Sequence, residues 1–298
     1  MPRKLYRFGG MTFVLETDSP IADSPMCEPF RVGAGEPADH TVRLTFSDRV
    51  PDPPQNALRQ GPLYRWYTGS ARCTLQRYSA PGRTPQFTYA ETRPGHTDLV
   101  FAESYRTGAS ARVVLESAGL FDILADAGML VLHSAYIVTR QGEGILFSGP
   151  SGIGKSTQAA LWQRYGAAQT VNGDRALVRP DTGTVSGVMY AGTSGICRNV
   201  TAPLRAVVLL HQAPESRVTD IRPQEAFARV LSQCAYYQWD PASAARMCAV
   251  SGGVDSIYLL HRMTELAAQL VTNVPVWRMD CRADESAVRA LEEALRRT

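Results

Sequence analysis

The clearest apolar pattern begins at residue 129. Apolar residues run to 138, broken only by His133 and Ser134, and resume at Ile145-Leu146-Phe147-Ser148 after Gln141-Gly142-Glu143-Gly144. Apolar runs flanking a glycine-containing turn read as strands, and so short a link makes them antiparallel neighbours. A helix over 156–165 follows, stopped by Gly166. Ala206-Val207-Val208-Leu209-Leu210 reads as a buried strand, and 223–231 as a helix with Pro223 in its first turn. Leu259, Leu260, Met263, Leu266 and Leu270 fall at helical spacing within 257–271. A strand over 274–279 and an amphipathic helix over 284–297 complete the chain.

Upstream the pattern is shorter and broken. Thr41-Val42-Arg43-Leu44-Thr45-Phe46 and Phe87-Thr88-Tyr89-Ala90 carry β-formers. Turn-rich stretches such as Val50-Pro51-Asp52-Pro53-Pro54 and Ala80-Pro81-Gly82-Arg83-Thr84-Pro85 separate them. The expected organisation is a β-rich N-terminal domain over 1–125, with substrate recognition its expected role, and a second domain over 126–298. Neither internal repeats nor low-complexity segments occur.

Composition narrows the class. With 298 residues, 44% hydrophobic and 20% charged, the chain suits a globular protein of about two domains rather than a disordered or fibrous one. No apolar run approaches the roughly 20 residues that span a bilayer, and Met1-Pro2-Arg3-Lys4 leads into no apolar signal-peptide core. A soluble, cytoplasmic protein without a membrane partner is expected. The net charge of +3 is not concentrated anywhere, so nucleic acid is not an expected partner. Six scattered cysteines without C-x-x-C spacing point to buried small hydrophobes rather than zinc or disulfides. Of the 31 basic residues only Lys4 and Lys155 are lysines, which draws attention to any motif holding one.

Lys155 lies in such a motif. Gly149-Pro150-Ser151-Gly152-Ile153-Gly154-Lys155-Ser156 is a complete G-x-x-x-x-G-K-[ST] match, set between a strand and a helix. Its glycines let successive backbone N–H groups, from Gly149 through Ser151, Gly152, Ile153 and Gly154 to Thr157, turn toward phosphate oxygens. The helix N-terminus adds positive potential. Lys155 suits the β- and γ-phosphates, and the Ser156 hydroxyl suits Mg²⁺. ATP and Mg²⁺ are the expected cofactors. No strand of four apolar residues ending in Asp follows; the run at 206–210 ends in His211, and the nearest acid is in Val171-Asn172-Gly173-Asp174-Arg175.

A P-loop fed by an antiparallel hairpin, then a short helix, then an Asp-Arg strand resembles the core of HPr kinase/phosphorylase, related to ATP-dependent phosphoenolpyruvate carboxykinase. The stretches Ala191-Gly192-Thr193-Ser194-Gly195-Ile196-Cys197-Arg198-Asn199, 202–210 and Val274-Pro275-Val276-Trp277-Arg278-Met279-Asp280-Cys281 resemble the divergent HPr-kinase-like proteins of peptide-modification gene clusters. The resemblance covers roughly 129–298. It implies an α/β fold with a P-loop core plus the added β-rich domain, and places His133 and Asp174 at the family's site positions. The family usually carries adjacent acids where this chain has Gly173-Asp174.

On that reading Asp174 is the candidate general base on a substrate hydroxyl, or a Mg²⁺ contact alongside Ser156; the bland alternative is a turn Asp at the Gly173 bend. Arg198 is the candidate cation for the transferring phosphoryl, against a solvated loop arginine. Arg175 is expected to pair with a nearby carboxylate, and His133 to sit beside the phosphates or in the core. The expected activity is transfer of a phosphoryl group to a hydroxyl of a peptide, protein or small metabolite, with room for a homo-oligomer. Two other classes stay open. Ser251-Gly252-Gly253-Val254-Asp255-Ser256 spells the loop of ATP pyrophosphatases, though too few residues follow for their sheet. A nucleotide-binding scaffold without turnover is the other.

Overall fold

The N-terminal strands form around a turn that glycine makes at little cost. In the computed structural model, which describes residues 2–60, 62–78, 86–190, 192–234 and 254–297, β1 (Arg3–Phe8) and β2 (Met11–Thr17) meet at Gly9 and Gly10. Their φ angles of 59° and 80° match the two-residue hairpin turn whose twist suits paired strands. β3 (His40–Phe46), β4 (Leu58–Gln60), β5 (Leu63–Thr68), β6 (Ala71–Tyr78), β7 (Gln86–Arg93) and β8 (His96–Phe101) follow. They make an eight-stranded sheet in the order β1-β2-β3-β8-β7-β6-β5-β4. β3 lies parallel to both β2 and β8, and the other pairings are antiparallel. The strands expected at 41–46 and 87–90 are β3 and part of β7.

Two helices, α1 (Ala111–Ser117) and α2 (Leu120–Asp126), end this region. The β-rich reading of 1–125 did not include them. Their apolar residues recur at helical spacing, and Ala111, Val114, Leu115 and Ala118 are buried.

The second sheet holds β9 (Leu130–Val138), β10 (Gly144–Ser148), β11 (Gln169–Asn172), β12 (Arg175–Arg179), β13 (Thr184–Ser186), β14 (Thr201–Gln212), β15 (Arg217–Asp220) and β16 (Val276–Cys281). Its helices are α3 (Lys155–Tyr165), α4 (Pro223–Ser232), α5 (Val254–Asn273) and α6 (Glu285–Arg296). β9 and β10 are the expected antiparallel hairpin, turning through Gly142 at φ 82°. β14 joins both kinds of pairing: it runs parallel to β10 and β16 and antiparallel to β13. With β12 pairing β9 and β13, the pairs close a circuit β9–β12–β13–β14–β10. Ile145, Phe147, Val208, Leu210 and Met279 project from one face onto Ala159 and Trp162 of α3 and Val288 and Leu291 of α6. That apolar layer fixes α3, and with it the loop that precedes α3, against the parallel strands. Asp284 caps α6 by accepting from the Ser286 N–H at 3.0 Å.

The fold is therefore mixed α/β, with two sheets and six α-helices among the described residues. The chain divides into two compact units, Met1–Ile123 with Gln238–Leu260, and Leu124–Tyr237 with His261–Thr298. Of the described cysteines, Cys27, Cys73, Cys197 and Cys281 are buried and none forms a disulfide; Cys248 lies outside the described residues. Among the described residues no helix is long and apolar enough to cross a membrane. Ser251, Gly252 and Gly253 also lie outside the described residues, while Val254, Asp255 and Ser256 lie in the first turn of α5 as described.

Candidate functional site

β10 ends at Ser148, whose hydroxyl donates to the His133 carbonyl at 2.8 Å and pins the strand end to β9. The glycine-rich loop then turns into α3 through Gly154 at φ 111°, a left-handed conformation that a Cβ would strain. Ser151, Gly152, Ser156 and Thr157 line this entrance, and Ser151, Ser156 and Thr157 are exposed. The first N–H groups of a helix have no partner within it, so the entrance presents donors to a ligand.

Lys155 behaves differently from its exposed neighbours. It is only 8% exposed, and its Nζ donates to the carbonyls of Gly149 and Pro150 at 2.8 and 3.0 Å. The loop thus curls around its own ammonium group. Burial pushes the Lys155 pKa below its usual value, and the negative charge of Asp174 pulls the other way.

Asp174 reaches this position through a tight turn built by its neighbour Asn172. Fully buried, Asn172 donates from Nδ2 to the carbonyls of Val188 and Tyr190 at 2.8 and 2.7 Å. Its Oδ1 accepts from the N–H groups of Asp174 and Arg175, both at 2.9 Å. Asn172 therefore makes the side-chain turn at Gly173, and the Asp174 carboxylate is left for other partners. One oxygen lies 3.5 Å from His133 Nε2 and the other 3.3 Å from Arg175 Nε. The His133 hydrogen bond, with the nearby Arg175 and Lys155 charges, holds the carboxyl below the usual range although burial opposes the shift. Arg175 lies over the Tyr190 ring, 5.4 Å from its centroid. Its pairing with a carboxylate is the expected one.

A second acid beside Asp174, at position 173, has no space here. A Cβ on Gly173 would lie 2.2 Å from Ser194 Oγ and 2.6 Å from Ser194 Cβ. Likewise a Cβ on Gly192, which sits at φ +52°, would strike the Asp174 side chain at 2.7 Å. The short 3₁₀ turn Gly192–Ser194 thus packs directly on the Gly173-Asp174 bend. Arg198 is exposed. Its N–H donates to the Val171 carbonyl at 2.9 Å, and among the described residues no ion pair joins its guanidinium to Asp174.

Two cavities open near these groups and share no lining residue. One, of about 250 Å³, is lined by His133, Asp174, Arg175, Ser232, Gln233 and Cys234. The Gln233 carbonyl accepts the His133 N–H at 2.8 Å, which brings the chain after α4 alongside the site. Burial pushes the Cys234 thiol up to about 12, so it is not a thiolate at neutral pH. The other, of about 470 Å³, borders the loop and α3 on one side and the ends of β14 and β16 on the other.

The sequence-predicted Lys155, Asp174 and His133 come together, while Arg198 is not drawn into their hydrogen bonds. Asn172 and Gln233 were not anticipated. Asn172 carried a visible signal, since Asn-Gly marks a turn; the Gln233 carbonyl carried none, because any residue supplies one.

No curated protein matches the sequence. A protein-family description does match residues 112–296, more than half of the chain, and it covers the loop, Asn172, Asp174 and the strands around them. The chain belongs to that family, ScmC, described as SynChlorMet cassette protein ScmC.

Proposed function

We propose that this protein is an ATP- and magnesium-dependent phosphotransferase with an HPr-kinase-like P-loop core, acting on a hydroxyl of a peptide or small molecule. One observation carries the reading: the Asp174 carboxylate, paired with His133 and Arg175, lies within electrostatic reach of a lysine gripped by a G-x-x-x-x-G-K-S loop.

The division of labour follows from those groups. The loop amides and the α3 N-terminus hold phosphate oxygens. Lys155 exchanges its bonds to Gly149 and Pro150 for the β- and γ-phosphates. An acceptor in the 250 Å³ cavity lies against Asp174, which takes the hydroxyl proton as the new O–P bond forms and the β–γ bridging bond breaks to release ADP. His133 and Arg175 orient the carboxylate and limit its rotation. Among the described residues no cluster of three or more His, Cys, Asp or Glu is placed to hold a metal. The donors Ser156 and Asp174 suit an ion that keeps its waters and shares the nucleotide's phosphates. When bound, magnesium would neutralise phosphate charge there.

The test is incubation of the full chain with Mg-ATP and pools of Ser- and Thr-bearing peptides or hydroxy metabolites, followed by ³¹P detection. A phosphate ester formed with ADP supports the reading; AMP and pyrophosphate would point to adenylation instead. A second reading, nucleotide binding without turnover, draws on the single acid that the Ser194 packing leaves at the bend. Lys155-dependent ATP binding with no product in any pool would favour it.

A further inference from the structure

The turn that presents Asp174 contains the chain's most reactive asparagine. Of the four asparagines only Asn172 is followed by glycine; Asn56 precedes Ala57, while Asn199 and Asn273 precede valines. In an Asn-Gly step the following main-chain nitrogen can attack the side-chain carbonyl carbon. Glycine has no Cβ to obstruct that approach, and it lets the chain bend into the ring that results.

The fold removes that freedom. Asn172 is fully buried, and all four hydrogen-bonding positions of its amide are occupied. Nδ2 donates to the carbonyls of Val188 and Tyr190 at 2.8 and 2.7 Å. Oδ1 accepts from the N–H groups of Asp174 and Arg175, both at 2.9 Å. Ser194 closes over Gly173, where even a Cβ would lie 2.2 Å from its Oγ. Turning the Asn172 side chain onto the Gly173 nitrogen would break these bonds together, in a space closed to solvent.

We propose that Asn172-Gly173 is a latent site of covalent conversion, held unreactive by the Val188 and Tyr190 carbonyls, and that its reaction when the turn opens displaces Asp174. In the first step the Gly173 nitrogen gives up its proton, bonds to Cγ and displaces Nδ2 as ammonia. Water then opens the cyclic imide. Attack at Cγ leaves aspartate at 172. Attack at the main-chain carbonyl carbon leaves isoaspartate, with the chain running through the former side chain. The aspartate carboxylate can only accept, so it opposes the two carbonyl oxygens that the amide had bonded. The extra backbone carbon of isoaspartate shifts the bend itself. The lifetime of the site is thereby tied to how often the contact of Asn172 with Val188 and Tyr190 opens.

The experiment is incubation of the full chain in mildly alkaline buffer, folded and in urea above its midpoint, with peptide mass spectrometry and enzymatic detection of isoaspartate. In urea Asn172 is expected to convert while Asn199 and Asn273, each followed by valine, persist. The folded chain is expected to convert at least about ten-fold more slowly, because reaction must wait for local opening. Equal rates in the two states overturn the protection, and an unreactive Asn172 in urea overturns the site itself. Asn172→Asp reproduces one product. It is expected to lower the urea midpoint and to move the NMR signals of the His133 ring nitrogens as Asp174→Asn does, leaving those of His40 in place. Unmoved His133 signals in the folded variant overturn the link to Asp174. A variant that does not fold shows loss of the site in a stronger form, and the rate comparison on the wild-type chain still decides the protection.

Discussion

Replacing Asp174 by Asn separates the chemistry of the site from its architecture. The turn that presents residue 174 is held by main-chain bonds: its N–H to Asn172 Oδ1 at 2.9 Å, and its carbonyl to the Ser134 N–H at 2.9 Å. Neither depends on the side chain. Asn keeps the volume and one acceptor oxygen but loses the charge. The lost pairs, to His133 and Arg175, join side chains that are 29–31% exposed, so solvent screening limits each to about 0.2–1 kcal/mol. Stability is therefore expected to fall by about 1–2 kcal/mol at most, read as a shift of the urea midpoint with the m-value unchanged. Turnover is expected to fall about 10²–10⁴-fold, the range for a lost general base. Nucleotide affinity should change much less, because Lys155 and the loop amides remain. The pH profile adds a second readout. Because its carboxyl is held below the usual range, Asp174 is ionised throughout pH 5–8, and the wild-type kcat/KM should have no inflection from it there. Wild-type turnover by the Asn variant would refute the reasoning. So would an acid limb above pH 5 that vanishes in His133→Asn, which would move the base to His133.

Three further outcomes follow from the geometry. Lys155→Ala should weaken ATP binding about 10²-fold by calorimetry, the scale of a lost charge-assisted contact, and should also lower stability because the buried Gly149 carbonyl loses its donor. Gly173→Ala should destabilise by about 1–3 kcal/mol, since its Cβ would lie 2.2 Å from Ser194 Oγ; the second change Ser194→Gly should restore most of the urea midpoint, while Ser194→Ala should not, its Cβ being 2.6 Å away. In the N-terminal sheet, burial pushes buried His40 down to about 4 from 6.5, with the His96 and Arg72 charges acting in the same direction. The folded state keeps it neutral while the unfolded chain binds a proton between those values, so stability is full above pH 6.5 and lost on acidification toward 4. About 3 kcal/mol disappears across that window, and urea midpoints at pH 7 and 4.5 should converge in His40→Asn.

Much of the second sheet was legible because its signals are local. Apolar runs on either side of Gly142 specify the β9–β10 hairpin, and a 3.6-residue period specifies α5 and α6. The glycine-rich loop announces itself by residue type, because backbone N–H groups can turn inward only where glycine frees the chain. In the N-terminal region, β3 lies between β2 and β8, parallel to both. Such neighbours are joined by crossovers, and no short-range period encodes which strands they bring together.

At the site the sequence by itself determined the loop, its lysine and the presence of an acid shortly after α3. Only the tertiary structure decided what that acid does. Val188 and Tyr190 lock Asn172 as the turn residue, which turns the Asp174 carboxylate toward His133 and Arg175. Ser194 fills the volume a second acid would need, and the Arg282 carbonyl fixes the amide of Gln158. Apart from the pair of neighbours Asp174 and Arg175, each of these contacts joins residues well separated in the chain. Side-chain orientation in a packed interior is set by which distant groups fill the neighbouring space, and a linear pattern carries no record of them.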